Sequence, residues 1–146
     1  MLRCIPNKPT LEWVQRLHPA TRGADVAFPD GYAVAVVNEH GERLAGVVYH
    51  DFRNTYAGTP WQCEMSIAST NPRWAARRIL GEIFGFAFDS LKLRRVEART
   101  TDMAVAGFLT RLGFKLEGIL RAASPDEGGT NVLLFAMLPE DCPWTR

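Results

Sequence analysis

The pattern of hydrophobic and polar residues predicts alternating strands and helices, and strands predominate in the first half of the chain. A short apolar run at residues 2–5 predicts a strand, and apolar residues at helical spacing predict an amphipathic helix over 10–17. Two apolar runs at 32–37 and 44–49 flank a polar turn, and this arrangement predicts an antiparallel hairpin.

Strict alternation of side chains identifies the next strand, over residues 61–68. One face of this strand is apolar, and the other presents Glu64 and Ser66. The Asn-Pro pair at 71–72 is a helix-start signal, with Asn as the cap and Pro at the first helical position. An apolar stripe extends the predicted helix to about residue 91.

The second half of the chain completes the pattern. Residues 95–100 predict a strand, Asp102 is placed to cap a helix over 103–112, and residues 114–121 and 131–138 predict a closing pair of strands. The order of elements is therefore β-α-β-β-β-α-β-α-β-β. Because a strand–helix–strand unit implies a parallel pair, we predict an α/β fold with a mixed, mostly antiparallel central sheet and helices on both faces.

Composition places the chain among ordinary globular domains and excludes several classes of function. With 146 residues, 47% of them hydrophobic and 23% charged, residues 1–146 are expected to form a single domain. The net charge of +1 offers no general attraction to nucleic acid or to a membrane, and no apolar run is long enough for a membrane span. The three cysteines lie far apart without metal-ligand spacing, so we expect reduced thiols, a cytoplasmic location and no metal.

Three arginines fall within residues 73–78, at the start of the predicted long helix. A helix N-terminus has a partial positive charge and unpaired N–H groups, so arginines there are unfavourable unless an anion shares the site. Helix N-termini bind phosphate groups readily. The segment therefore predicts a phosphate-bearing ligand. A solvated basic turn is the alternative.

The order of elements and two motifs resemble the GNAT superfamily of acetyl-CoA-dependent N-acetyltransferases across essentially the whole chain. Arg73-x-x-Ala76-x-Arg78 is similar to the family's Arg/Gln-x-x-Gly-x-Gly/Ala motif, although both glycines are absent. Residues 108–114, Phe-Leu-Thr-Arg-Leu-Gly-Phe, resemble the residues that end a helix in that family. A narrower likeness links the chain to ribosomal-protein and amino-acid acetyltransferases and to GNAT proteins of phages and prophages.

The resemblance implies that acetyl-CoA is the cosubstrate, with Trp74 placed to stack on its adenine ring. Backbone amides within 73–78 would hold its pyrophosphate, Arg77 and Arg78 would add side-chain contacts, and the neighbouring strand backbone would face the pantetheine arm. Two positions depart from the family: Asp102 replaces an asparagine that helps to hold CoA, and Leu109 replaces the tyrosine that protonates the departing thiolate. The cofactor-binding residues predicted on this basis are Ile67, Ala68, Arg73, Trp74, Ala75, Ala76, Arg77, Arg78, Asp102 and Phe108.

Glu64 and Ser66 are the candidate catalytic residues, on the strand that would enter the site. A partly buried Glu64 could take the proton of the amine through one water, with a solvent-facing strand residue as the alternative. Ser66 could relay a proton, bind substrate or donate a proton to the thiolate, with a strand serine that has none of these roles as the alternative. His50 and Asp51 are neighbours in sequence, but adjacent strand residues point to opposite faces, so we do not expect them to act as a dyad.

Two functions follow from the resemblance. The first is an N-acetyltransferase that transfers an acetyl group from acetyl-CoA to a primary amine of a small molecule, peptide or protein. The second is a catalytically inactive GNAT-fold module with a binding or structural role, for example in a phage particle. The loops at 21–29, 54–60 and 122–130 would determine the acceptor, and the sequence leaves both the acceptor and the oligomeric state open.

Overall fold

A seven-stranded sheet forms the centre of the computed structural model, which describes residues 1–17, 28, 30–125 and 128–145. Its main elements, in chain order, are β1 (Arg3–Pro6), α1 (Thr10–Leu17), β2 (Tyr32–Val37), β3 (Arg43–Arg53), β4 (Gln62–Ser69), α2 (Arg77–Gly85), β5 (Arg95–Thr100), α3 (Met103–Leu112), β6 (Lys115–Ser124) and β7 (Thr130–Met137). The strand order across the sheet is β1-β2-β3-β4-β5-β7-β6. The loop predicted at 21–29 lies outside the described residues except for Phe28. No helix in the described ranges is long and apolar enough to cross a membrane.

The pairing of the strands confirms the predicted fold class. β4 and β5 run parallel, and the other neighbouring strands pair antiparallel. The parallel pairing is short and ends at Glu64 opposite Glu97. Beyond that point β4 stays paired with β3 as far as Ser69, while β5 stays paired with β7 as far as Thr100. The two central strands therefore separate, and a gap opens between them in the middle of the sheet.

Helices cover both faces of the sheet, as the sequence predicts. Adjacent strand residues point to opposite faces, so Val47 and Val48 of β3 enter different cores. Val47 belongs to the larger core, which α2 and α3 cover, and Val48 belongs to a smaller core beneath α1. Burial of these apolar side chains is the main force that holds the three layers together.

The long helix predicted from residue 71 to about residue 91 is divided into three parts. Asn71 caps a single 3₁₀ turn, Pro72–Trp74, by accepting a hydrogen bond from the backbone N–H of Arg73. Trp74 is only 3% exposed, and burying it bends the chain inward. Ala76 is then extended, with φ −67° and ψ 147°, so α2 begins at Arg77. After Gly85 the helix continues with π-type turns over Phe86–Ser90.

Candidate active site

A pocket of about 380 Å³ opens where β4 and β5 separate. One strand face contributes Met65 and Ile67 to this pocket, while the alternation of β4 turns Glu64 and Ser66 toward the other side of the sheet. The pocket is lined by Met65, Ile67, Ser69, Pro72, Trp74, Ala98, Arg99, Ala104, Val105, Phe108 and Leu109. The gap thus places an apolar pocket on one face of the sheet and a polar cluster on the other.

The start of α2 supplies backbone donors to the pocket side of the sheet. Leu80 N–H bonds to the carbonyl of Ala76, which closes the first turn of the helix. The amides of the first turn have no acceptor within a helix, and the helix dipole makes this end positive. Ala76 is exposed and provides no side-chain cap, so the amide end is not blocked by its own residues. This arrangement suits an anionic group such as a phosphate.

The structure places the three arginines of this segment in different environments. Arg73 is exposed at the 3₁₀ turn. Arg77 lies over the Trp144 ring, with its guanidinium carbon 5.6 Å from the ring centroid. Arg78 bonds to Glu82 at 2.5 Å and also to the backbone carbonyl of Leu2. Arg78 therefore connects α2 to the residue before β1, and its contact with phosphate stays a prediction.

The remaining predicted cofactor residues lie around the pocket or near it. Trp74 packs edge-on against Phe108, with ring centroids 5.9 Å apart, and both rings line the pocket. The expectation that Trp74 stacks on adenine is not supported, because its ring is buried in the pocket wall. Asp102 Oδ1 accepts hydrogen bonds from Ala104 N–H and Val105 N–H, which confirms the predicted helix cap.

Other predicted positions lie on the two sides of the gap. Ile67 faces the pocket, whereas Ala68 is buried in the smaller core on the opposite face. Ala75 is half-buried against the larger core. Leu109, 4% exposed, lies in the pocket wall where the sequence resemblance would place a proton donor.

Glu64 is mostly buried and surrounded by charged groups. Its side chain is 16% exposed, Arg99 Nε lies 3.1 Å from Oε1, and His50 Nε2 lies 3.6 Å from Oε2. Burial is the main cause that raises its pKa to about 7, and Asp51 and Glu97 add to the effect while Arg99 opposes it. The alternative of a solvent-facing strand residue is therefore wrong. A carboxyl group with this pKa can accept a proton near neutral pH.

Ser66 and Asp51 make contact with opposite sides of the His50 ring. His50 Nε2 lies 2.8 Å from Ser66 Oγ, and His50 Nδ1 lies 3.2 Å from Asp51 Oδ2. The expectation that His50 and Asp51 point to opposite faces is wrong, because β3 is irregular between His50 and Arg53 and Asp51 has φ +53°. The break in regular geometry brings the carboxylate back to the ring.

Donor atoms of His50, Asp51 and Glu64 lie within 4.8 Å of one another, a spacing that a metal ion could bridge. Both carboxylates already have guanidinium partners, since Arg53 lies 3.6 Å from Asp51 and Arg99 lies 3.1 Å from Glu64. These fixed positive charges oppose a further cation. The two arginines therefore balance the charge of the carboxylates in this group.

Sequence reasoning missed Arg99 and Glu97 as parts of the site. The parallel register places Glu97 opposite Glu64, and alternation then places Arg99 on the same face of β5. Arg99 lies 3.5 Å from Glu97, which is also bound by Arg95 at 2.8 Å and by Gln62 at 3.2 Å. The alternating charged residues of β5 could have been recognised in the sequence as one polar face. The sequence could not show that this face meets Glu64, because that contact depends on the register between β4 and β5.

Comparison with solved structures finds the same fold in acetyltransferases. The spermidine/spermine N-acetyltransferase SpeG from Vibrio cholerae matches with a TM-score of 0.71 and 14% identity over 96% of each chain. A proposed acetyltransferase from Acinetobacter baylyi ADP1 has the same TM-score and 16% identity, over 98% of this chain and 95% of its own. No protein-family model and no curated protein matches the sequence. The neighbours confirm the GNAT-type fold, and they give no support to the narrower likeness to phage proteins.

Proposed function

We propose that this protein is an acetyl-CoA-dependent N-acetyltransferase that acts on a primary amine within a single domain, residues 1–146. The main support is the position of Glu64, a mostly buried carboxylate with a raised pKa beside the gap between β4 and β5. Known N-acetyltransferases share the fold around this gap. The free thiols of Cys4, Cys63 and Cys142 agree with a reducing, cytoplasmic setting.

The residues present fit acetyl-CoA as a cosubstrate. The first-turn amides of α2, with Arg77 beside them, suit phosphate groups, and the apolar pocket suits an uncharged pantetheine arm. Backbone groups of β4 beyond Glu64 have no partner on β5 in the described pairing, so they are available to hydrogen-bond an extended ligand in the gap. Ala76 and Arg78 stand where the family has glycines. Their side chains would hinder close approach of the phosphates, but the backbone amides remain.

The chemistry requires a neutral amine and a group to take its proton. The amine nitrogen bonds to the acetyl carbon, the carbon–sulfur bond breaks, and the electron pair goes to sulfur. The raised pKa of Glu64, about 7, suits it to accept the amine proton directly or through one water. The rest of the barrier is lowered by holding the two reactants together.

A small-molecule amine is the preferred acceptor class. The neighbour from Vibrio cholerae is named for its action on spermidine and spermine, which are small polyamines. The acceptor face here holds Asp51, Glu64 and Glu97 together with Arg53 and Arg99, so its charge is mixed. Such a face suits an amine whose other substituents are not all cationic.

Two measurements test the proposed function. Calorimetry with acetyl-CoA measures binding, and a thiol-release assay with a panel of polyamines, amino acids and peptides measures turnover. Binding together with amine-dependent thiol release is the expected result. Failure to bind acetyl-CoA would refute the proposal.

A catalytically inactive module is the second candidate, and Leu109 favours it because the side chain has no proton to donate. Acetyl-CoA binding without release of thiol for any amine in the panel would support this second function instead.

A further inference from the structure

Arg99 brings a positive charge into the wall of the pocket. Among the described residues that line the pocket, Arg99 alone carries a charge. Its side chain also contacts the polar cluster, because Nε lies 3.1 Å from Glu64 Oε1 and Nη2 lies 3.5 Å from Glu97 Oε1. Arg99 therefore lies in the gap itself, with the pocket on one side and the candidate base on the other.

The separation of β4 and β5 explains how Arg99 reaches both sides of the sheet. The two strands are paired only as far as Glu64 and Glu97, and Arg99 lies two residues beyond this point on β5. The backbone of Arg99 stays fixed by the pairing of β5 with β7, where its partner is Leu134. The side chain is 34% exposed, so a ligand in the gap can reach it.

The guanidinium group has more donors than its protein partners use. It carries five N–H groups. Glu64 and Glu97 lie at ion-pair distances, but the buried Nε has no hydrogen-bond partner in the part of the chain that the structure describes. Buried donors without a hydrogen-bond partner are uncommon in folded proteins. A ligand that brings an oxygen atom into the gap would supply the acceptor that this side chain lacks.

The proposed reaction places negative charge on an oxygen atom close to this position. When the amine nitrogen bonds to the carbonyl carbon of the thioester, the π electrons of the C=O bond move to the oxygen. The amine has to lie beside Glu64, and the carbonyl oxygen is bonded to the same carbon that the amine attacks. A donor that touches Glu64 and lines the pocket is therefore within reach of this oxygen.

We propose that Arg99 is a catalytic residue that donates a hydrogen bond to the carbonyl oxygen of the thioester and stabilises the negative charge that forms there. This inference rests on the proposed acetyltransferase function. The contacts with Glu64 and Glu97 hold the guanidinium in place before the substrate arrives. The apolar pocket wall on the other side, with Met65 and Leu109, lowers the local dielectric constant and strengthens the interaction.

The electrons and protons balance without a proton from Arg99. The amine nitrogen bonds to carbon, Glu64 takes one amine proton, and the carbonyl oxygen holds the displaced electron pair. This pair then returns to carbon, the carbon–sulfur bond breaks, and sulfur leaves with the bonding pair as a thiolate. Glu64 releases its proton to water, and the thiolate takes a proton from water.

The loss of kcat in Arg99→Met tests the proposed contact. This substitution removes the charge and every donor but keeps a long side chain. It should lower kcat by about 10²–10³-fold, the loss that follows removal of one donor to such an oxygen. The Kd of acetyl-CoA, measured by calorimetry, should stay close to the wild-type value, because the interaction is stronger in the transition state than in the bound substrate.

The pH dependence of kcat separates this role from an effect on Glu64. Arg99 opposes the raised pKa of Glu64, so the acidic limb of the profile should move to higher pH in Arg99→Met. The other ionisable groups around Glu64 are unchanged in this variant: His50, Asp51, Arg53 and Glu97. Above the shifted limb, kcat should remain about 10²–10³-fold below the wild-type plateau.

The infrared spectrum of bound acetyl-CoA tests the contact without an acceptor. A hydrogen bond to a carbonyl oxygen lowers the C=O stretching frequency, and a ¹³C label at the thioester carbonyl separates this band from those of the protein. The wild-type complex should show the band at a lower frequency than free acetyl-CoA in water. The Arg99→Met complex should lose this shift.

Two further variants serve as controls. Arg94→Met makes the same substitution at an exposed arginine that does not line the pocket, and it should keep the wild-type profile. Arg99→Lys keeps a positive charge beside Glu64 and Glu97 but lacks the planar group with several donors, so it should recover only part of the rate. Thermal melting of each variant identifies any unfolding.

Each contrary result has a distinct meaning. Recovery of the wild-type plateau by Arg99→Met at alkaline pH would overturn the proposal and show that Arg99 acts only through Glu64. A higher KM for the amine with unchanged kcat would overturn it in favour of acceptor binding. Wild-type turnover with an unshifted carbonyl band would refute the Arg99 contact alone, even if Arg99→Met fails to fold. No acetyl-CoA binding, or no wild-type turnover with any amine, would refute the proposed function and the catalytic role with it.

Discussion

Replacing Glu64 by glutamine is expected to stabilise the protein at alkaline pH although it removes the proposed base. Burial among Asp51 and Glu97 raises the pKa of Glu64 from its ordinary value of 4.5 to about 7. A carboxyl group whose pKa is higher in the folded state binds more protons when folded than when unfolded. The wild type therefore loses stability from this group as the pH rises from 4.5 through 7, and the loss is complete above that range.

The pKa difference sets the size of this effect. Each pH unit of difference corresponds to 1.36 kcal/mol, so the full cost of ionising Glu64 in the folded protein is about 3 kcal/mol. Glutamine has no charge to desolvate, but it leaves Arg99 without its ion-pair partner at 3.1 Å. The unpaired guanidinium offsets part of the gain at every pH. Because this offset is the same at every pH, it cancels when two pH values are compared, and we expect the stability of Glu64→Gln relative to the wild type to rise by about 3 kcal/mol between acidic and alkaline pH.

Urea denaturation of both proteins at about pH 4.5 and about pH 8.5 measures this change. Glu42→Gln alters an exposed carboxylate and serves as the control, for which the difference from the wild type should stay constant with pH. If the difference in unfolding free energy between Glu64→Gln and the wild type is the same at both pH values, ionising this carboxylate in the folded protein has no desolvation cost. In that case the argument for a raised pKa, and with it the proposed base, would fail.

Three further outcomes concern activity and the pocket. Glu64→Gln should lower turnover by about 10²–10⁴-fold with unchanged acetyl-CoA affinity by calorimetry. The double variant Arg77→Ala/Arg78→Ala should weaken acetyl-CoA binding by about 1.5–3 kcal/mol. Part of the Arg78 effect would arise from the loss of its bond to Glu82. Unchanged affinity would leave the arginines a structural role. Leu109→Tyr should lower stability by about 1–3 kcal/mol, because a larger side chain must enter the packed pocket wall, and thermal melting measures this loss. A higher turnover despite the lower stability would show that the wild-type site lacks a proton donor.

The sequence was sufficient to predict the order of elements and the two faces of β4. Alternation in this strand depends on local geometry alone, so Glu64 and Ser66 are correctly placed on the face opposite the apolar residues. The helix that follows was predicted too long, because helical periodicity does not reveal that Trp74 is drawn into the core against Phe108. The start of α2 therefore depends on a tertiary contact that no pattern within 71–91 contains.

The polar cluster shows why a candidate base can be predicted when its partners are not. Alternation identifies Glu64, but its pKa depends on Arg99 and Glu97, which the parallel register brings from β5. The same alternation rule gives the wrong result for His50 and Asp51, because it assumes regular strand geometry and Asp51 is left-handed. A backbone distortion of this kind costs energy and persists only where surrounding contacts hold it. The residue that breaks the sequence rule is therefore the one whose carboxylate reaches the imidazole, which is why alternation alone could not place Asp51 beside His50.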